Sequence, residues 1–220
     1  MASETAVPTR VKICGLSTEA TLTAALEAGA DWIGLVHFAR SPRHVTLAKA
    51  AALSALARGR AERVLLLVDP DDALVASAVA AADPDLIQLH GRESPERVTA
   101  IRAATGRPVM KALGIATPAD LAALPAYAAV ADRILLDAKA PADATLPGGN
   151  GRRFDWELLR GADLPHGTML SGGLDEANVA EALMRTGLRA VDVSSGVESA
   201  PGTKDPSRIA AFVAAARAAR

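Results

Sequence analysis

The only cysteine of this 220-residue chain, Cys14, stands in the stretch RVKICGLS, behind a short apolar run and directly before a glycine. An extended backbone alternates its side chains, so Lys12 and Cys14 point the same way. A free cysteine ordinarily packs as a small hydrophobe. Beside a cation, its thiolate is favoured and can act as a base or nucleophile. A buried lysine is costly without a partner, and AVDVSSG near the C-terminus offers Asp192, with Ser194 on the same face one step further on. A Lys12–Asp192 ion pair is therefore expected, with Lys12 either purely structural or a source of positive charge for Cys14.

Other polar residues follow apolar runs in the same way. His90 ends IQLHG with Gln88 on its face, and Asp137 ends RILLDA. Gly172 and Gly173 follow TMLS, while Ser194, Ser195 and Gly196 follow AVDV. Two glycine- or serine-rich strand ends free backbone N–H groups of the kind that cradle phosphate. Arg43, in FARSPRHV, is restricted by Pro42 and could bind a carboxylate through two parallel hydrogen bonds, with Arg40 as its rival. His90 reads equally as a hydrogen-bonded interior histidine or a substrate contact. The four histidines and single cysteine make no metal motif.

These residues need elements to bring them together. Eight Val/Ile/Leu-rich runs, at 10–15, 32–38, 63–69, 85–91, 108–114, 133–138, 168–173 and 190–196, alternate with Ala/Leu-rich stretches of helical composition. Helix signals are readable, as in SPERVTAIRAATG with Ser94 as N-cap, Pro95 at the first position and Gly106 at the stop. Further helices are expected in 117–130, 154–161, 175–187 and 205–219. Eight strands, each followed by a helix, predict a (β/α)8 TIM barrel with eight parallel strands and a single domain over residues 1–220. Barrel closure gathers the strand-end residues into one ring. The one irregular connection, 138–153, carries Gly148, Gly149 and Gly151 and is expected to act as a lid.

A net charge of -1 and 3% aromatic residues leave neither a basic field nor stacking platforms for nucleic acid. MASETAVPTR has no signal-peptide core, and no apolar run approaches the roughly 20 residues of a membrane helix. A cytoplasmic protein is expected, monomeric or homodimeric, with no nucleic-acid or membrane partner.

Taken together, VKICGL at 11, SPRHV at 41, IQLHG at 87, LLDA at 135, GGNGRRFDW at 148, LSGGL at 170 and VDVSSGVESAPGTKD at 191 resemble phosphoribosylanthranilate isomerase of tryptophan biosynthesis along essentially the whole chain. The resemblance implies the third step of tryptophan synthesis from chorismate. This is an Amadori rearrangement of N-(5-phosphoribosyl)anthranilate to 1-(2-carboxyphenylamino)-1-deoxyribulose 5-phosphate, without metal or cofactor. It further implies Asp137 as general acid, Cys14 as general base and Arg43 at the anthranilate carboxylate. The phosphate would lie on Gly172, Gly173, Ser194, Ser195 and Gly196, with Lys12 and His90 in the pocket. Such an acid must hold a proton that a free Asp loses at about 3.9. A free thiol at about 8.5 would benefit from lowering. His37, Ala39 and the third-strand segment LLLVDPDD depart from the family pattern, around the anthranilate pocket. Two other readings compete. One is a sugar-phosphate aldolase or epimerase barrel, the aldolase forming a Schiff base at Lys111; the other is a non-catalytic phosphate-binding barrel.

Overall fold

The computed structural model describes residues 8–141, 146–149 and 151–219. Residues 1–7 of the N-terminal stretch and residues 142–145 and 150 of the proposed lid lie outside them. Eight strands close into one parallel barrel in sequence order: β1 (Arg10–Cys14), β2 (Trp32–Val36), β3 (Glu62–Leu67), β4 (Leu86–Leu89), β5 (Val109–Ile115), β6 (Arg133–Ala138), β7 (Met169–Leu170) and β8 (Ala190–Val193). Each lies within the run expected of it, to within a residue or two.

The strands alternate between two apolar layers, as a closed barrel requires. Trp32, Val64, Leu86, Met110, Leu135 and Met169 plug the barrel interior. Val11, Ile13, Ile33, Leu65, Ile87 and Leu136 face outward into the larger core beneath the helices. Trp32 is fixed at the lower end by the Glu62 carboxylate, which accepts its Nε1–H at 2.8 Å, and by Arg10 stacked 3.7 Å from its ring. The upper half of the interior sets buried polar groups, Lys12, Gln88, Asp137 and Asp192, beside an apolar cluster of Cys14, Val36 and Leu66.

The outer helices are α1 (Glu19–Glu27), α2 (Leu47–Ala57), α3 (Asp72–Ala82), α4 (Pro95–Thr105), α5 (Leu124–Ala128), α6 (Val179–Thr186) and α7 (Pro206–Ala218). The caps in the sequence are used: Ser94 accepts from Arg97 N, and Gly106 ends α4 in the left-handed conformation at φ 64°. Three expected helices are shorter. The 117–130 stretch divides into a 3-10 turn, Pro118–Ala123, and α5, because Pro125 brings no N–H and fits only the start of a helix. The 154–161 stretch keeps only a 3-10 turn, Trp156–Leu159, capped by Asp155 and followed by Gly161 at φ 72°. In 175–187 the Asp175 carboxylate accepts from Ala177 N and Asn178 N, an alternative to helical bonding that delays α6 to Val179. A two-stranded hairpin, β9 (Glu198–Ala200) and β10 (Thr203–Lys204), was not expected and stands outside the barrel sheet.

Candidate active site

Closure of the barrel sets β8 beside β1, with Lys12 in register with Asp192. The Lys12 ammonium donates to Asp192 Oδ1 at 2.8 Å, and both groups are buried, as the alternation predicts. Asp192 Oδ2 also accepts from the Ser171 hydroxyl at 3.2 Å. Gly34 on β2 makes room for the pair: a Cβ there would come within 3.0 Å of Cys14 Sγ and 3.1 Å of Lys12 Nζ. Burial works against the Lys12 ammonium, but Asp192 and the Cys14 sulfur outweigh it and leave its pKa raised. For Cys14 the balance runs against the lowering from which a base would benefit. Burial pushes the thiol above its ordinary value; Lys12 pulls it back, Asp192 adds to the rise and Lys204 also pulls down.

Asp137, next to last in β6, lies across the same opening. Its Oδ1 accepts from Ala138 N at 2.8 Å, and Oδ2 lies 3.2 Å from His90 Nε2. His90 Nδ1 is in turn 2.9 Å from Gln88 Nε2, so the two residues of IQLHG that share a face form one chain ending on Asp137. Gly148 lies directly over this chain: a Cβ would meet His90 Nε2 at 2.4 Å and Asp137 Oδ2 at 2.8 Å. The described part of the 138–153 connection thus covers the carboxyl group with bare backbone.

Cys14, Arg43, His90, Asp137, Gly172, Gly173, Ser194 and Ser195 line one cavity at the upper end of the barrel, with about 750 Å³ of empty space. Lys12 lies beneath Cys14, and Gly196 lies behind the wall. At one end Gly172 and Gly173 have φ of 91° and 61°, and Ser195 and Gly196 open a 3-10 turn, Ser195–Val197. The first N–H groups of such a turn have no partner within it and can meet an anion. Gly196 cannot carry a side chain, since a Cβ would lie 1.9 Å from Leu174 O. An apolar wall of Val36, Phe38, Leu66 and Val68 also lines the cavity, suited to an aromatic ring. His37 is turned to Val45 O at 2.8 Å and leaves that wall to Phe38.

Arg43 reaches this cavity while Arg40 is exposed on the surface. Its fork is not open as the sequence reading supposed. Nε and Nη2 donate to Glu198 Oε1 and Oε2 at 2.7 and 2.8 Å, and Nη2 also donates to Gly149 O at 3.3 Å. The remaining edge, around Nη1, lies against Gly149, where a Cβ would come within 2.5 Å of it. Glu198 and its neighbour Lys204 were missed in the sequence. The available signal was a Glu and a Lys flanking the turn-forming Pro201-Gly202.

Lys111 is not in the cavity. It alternates with Met110 and Ala112, so it faces the outer layer, where it donates to Glu93 at 2.7 Å and Gly91 O at 2.8 Å beneath the Tyr127 ring. No substrate in the barrel mouth can reach it, and the aldolase reading is overturned. Among the described residues, no group of three or more His, Cys, Asp or Glu could hold a metal, and no helix is long and apolar enough to cross a membrane.

Residues 11–215 match the family model for N-(5'-phosphoribosyl)anthranilate isomerase. A relative of that name from Azorhizobium caulinodans is 68% identical over 209 residues, covering 95% of this chain and 92% of the relative. The crystal structure of phosphoribosyl anthranilate isomerase from Thermotoga maritima superposes with a TM-score of 0.84 at 34% identity, covering 94% and 98% of the two chains. A structure of such an isomerase in complex with reduced 1-(o-carboxyphenylamino)-1-deoxyribulose 5-phosphate superposes at 0.82 with 31% identity, covering 94% and 98%.

Proposed function

The chain belongs to the N-(5'-phosphoribosyl)anthranilate isomerase family, and from that premise we propose that Cys14 and Asp137 are the base and acid of its reaction. The enzyme converts an aminoaldose phosphate into its aminoketose in tryptophan biosynthesis. Two proton transfers have to be managed. Asp137 gives its proton to the furanose ring oxygen, the C1–O bond breaks, and the anilino nitrogen supplies the electrons that form a Schiff-base cation. That cation acidifies the C2 hydrogen, which Cys14 removes as the thiolate. The electrons of the C–H bond form the enolamine, which tautomerises to the ketone by losing its hydroxyl proton and gaining one at C1. After product leaves, Cys14 gives its extra proton to solvent water and Asp137 takes one back, which restores both side chains.

The observation that carries this reading is that the Cys14 thiol and the Asp137 carboxyl line one cavity, whose other carboxyl, Asp192, is paired with Lys12. The Gly172–Gly173 and Ser194–Gly196 segments hold the phosphate, and Arg43 holds the anthranilate carboxylate against the Phe38 wall. Lys12 offsets part of the burial cost of the thiolate. The developing Schiff-base cation next to Cys14 stabilises the thiolate further, so a thiol raised in the empty site still serves in the loaded one. His90 supports the Asp137 carboxylate once its proton has left. The 138–153 connection acts as the lid that excludes water. The thiol suits a reducing compartment, and we place the enzyme in the cytoplasm.

The test is the fluorescence decay of freshly made phosphoribosylanthranilate with parent, Cys14→Ser and Asp137→Asn proteins. A fall in kcat of about 100-fold or more in both variants is expected for loss of a general acid or base. Equal decay in all three proteins would discard the assignment.

A further inference from the structure

Arg43 is held from behind by a second set of buried charges. Glu198 takes its fork edge-on, and both residues are 6% exposed. The same Glu198 Oε1 accepts from Lys204 Nζ at 2.8 Å, and Gly202 N donates to Oε2 at 3.2 Å. Lys204, itself 5% exposed, also donates to Ser194 O at 2.8 Å and Ser194 Oγ at 3.2 Å. The Ser194 hydroxyl then reaches Cys14 O at 3.2 Å. One continuous chain of bonds thus runs from Arg43, through the β9–β10 hairpin, to Ser194 and the backbone carbonyl of Cys14. The hairpin sets Glu198 opposite Lys204 in register and joins no strand of the barrel, so closing the barrel does not require it.

The charges do not balance internally. Arg43 and Lys204 share a single carboxylate, so with both protonated this buried network carries one positive charge in excess, which burial opposes by lowering the Lys204 pKa. An excess charge removed from water is stabilised by an anion at its open ends. Those ends are the outer edge of Arg43, against which the Gly149 backbone lies, and the surroundings of Cys14. A guanidinium locked by two hydrogen bonds also loses little freedom when a carboxylate docks on its other edge.

We propose that Glu198 and Lys204 are positioning residues of this active site: Glu198 presents Arg43 to the substrate carboxylate, and Lys204 fixes Ser194 and brings positive charge to the Cys14 thiolate. The proposal rests on the roles given above to Arg43 and Cys14.

Two substrates separate a positioning role from a merely structural one. They are phosphoribosylanthranilate and its aniline counterpart, which lacks the ring carboxylate and forms from aniline and ribose 5-phosphate. Glu198→Gln should raise KM for the carboxylated substrate by about tenfold, the size of a lost charge-assisted hydrogen bond. The aniline substrate should lose clearly less, since only the part of the effect that passes through Lys204 and Ser194 reaches it. Glu198→Asp, which keeps the charge, should recover part of the loss and serves if the amide variant does not fold. For Lys204→Gln the readout is alkylation of Cys14 by iodoacetamide in the free enzyme, whose pH midpoint should rise by about one unit as a neighbouring cation is lost. A folded Glu198→Gln protein that loses both substrates equally, or a Lys204→Gln protein with an unmoved midpoint, overturns the proposal. If Arg43→Gln discriminates between the substrates and Glu198→Gln does not, only this proposal falls. If neither discriminates, the assignment of Arg43 falls with it.

Discussion

Lys12 and Asp192 are 180 residues apart in the chain and 2.8 Å apart in the barrel, where they bridge the seam between β1 and β8. Removing one member strands a buried charge, so Lys12→Met or Asp192→Asn should cost about 3–5 kcal/mol in urea unfolding. The double variant Lys12→Met/Asp192→Leu should regain most of that stability yet remain inactive. Recovery of activity as well would mean that the pair only holds the seam.

Because burial raises the Cys14 pKa and the base form is the thiolate, kcat/KM should climb as pH rises from neutrality into the alkaline range. Stability has the opposite sign. Lys12 and Cys14 both bind their protons more firmly when folded, so their contribution is whole below the ordinary values of 10.5 and 9.0 and is lost as pH rises through the raised ones. Urea midpoints should therefore fall above about pH 9, less so in Cys14→Ala, while activity is still increasing. A flat alkaline stability profile would contradict the burial argument.

Lys111 spends its ammonium on Glu93 and the Gly91 carbonyl outside the barrel. Borohydride added during turnover should leave Lys111 unmodified in peptide mapping. Lys111→Met should lower stability by about 3 kcal/mol or more through the unpaired Glu93, with near-parental kcat in whatever fraction stays folded.

Gly196 and Gly172 are held to glycine for different reasons. A Cβ at Gly196 would run into Leu174 O at 1.9 Å, whereas Gly172 has φ 91° and meets Ala138 N at 2.6 Å. Gly196→Ala should push the Ser194–Gly196 segment away from Leu174, in the connection after β7, and raise KM by about tenfold or more, the scale of a lost hydrogen bond to a charged group. Inorganic phosphate should protect the parent from thermal unfolding and fail to protect this variant. Equal protection would place the phosphate elsewhere.

Much of the site could be read before any coordinates, for a physical reason. Parallel strands return the chain to the same end of the barrel each time, so Cys14, His90 and Asp137 share a face by virtue of ending their strands. Parity then sends Lys12 inward with Cys14 and Gln88 inward with His90. The same parity, applied to Lys111 between Met110 and Ala112, would have placed it outside. Glu198 was not legible, because no periodicity marks the three-residue strand that carries it and its partner Arg43 lies 155 residues away. The shortened helices escaped because side-chain competition at Asp175 and the missing N–H of Pro125 act within a single turn, below the scale of composition.

The sequence by itself determined the eight strands, their order and the residues at their ends, since hydrophobic periodicity and strand-ending glycines are local properties of the chain. Only the tertiary structure decided which charges meet. The engagement of the Arg43 fork by Glu198, the excess cation at Lys204 and the upward direction of the Cys14 pKa all depend on long-range neighbours and on exclusion of water. Pairing and desolvation are set by closure of the barrel, which no local stretch of residues encodes.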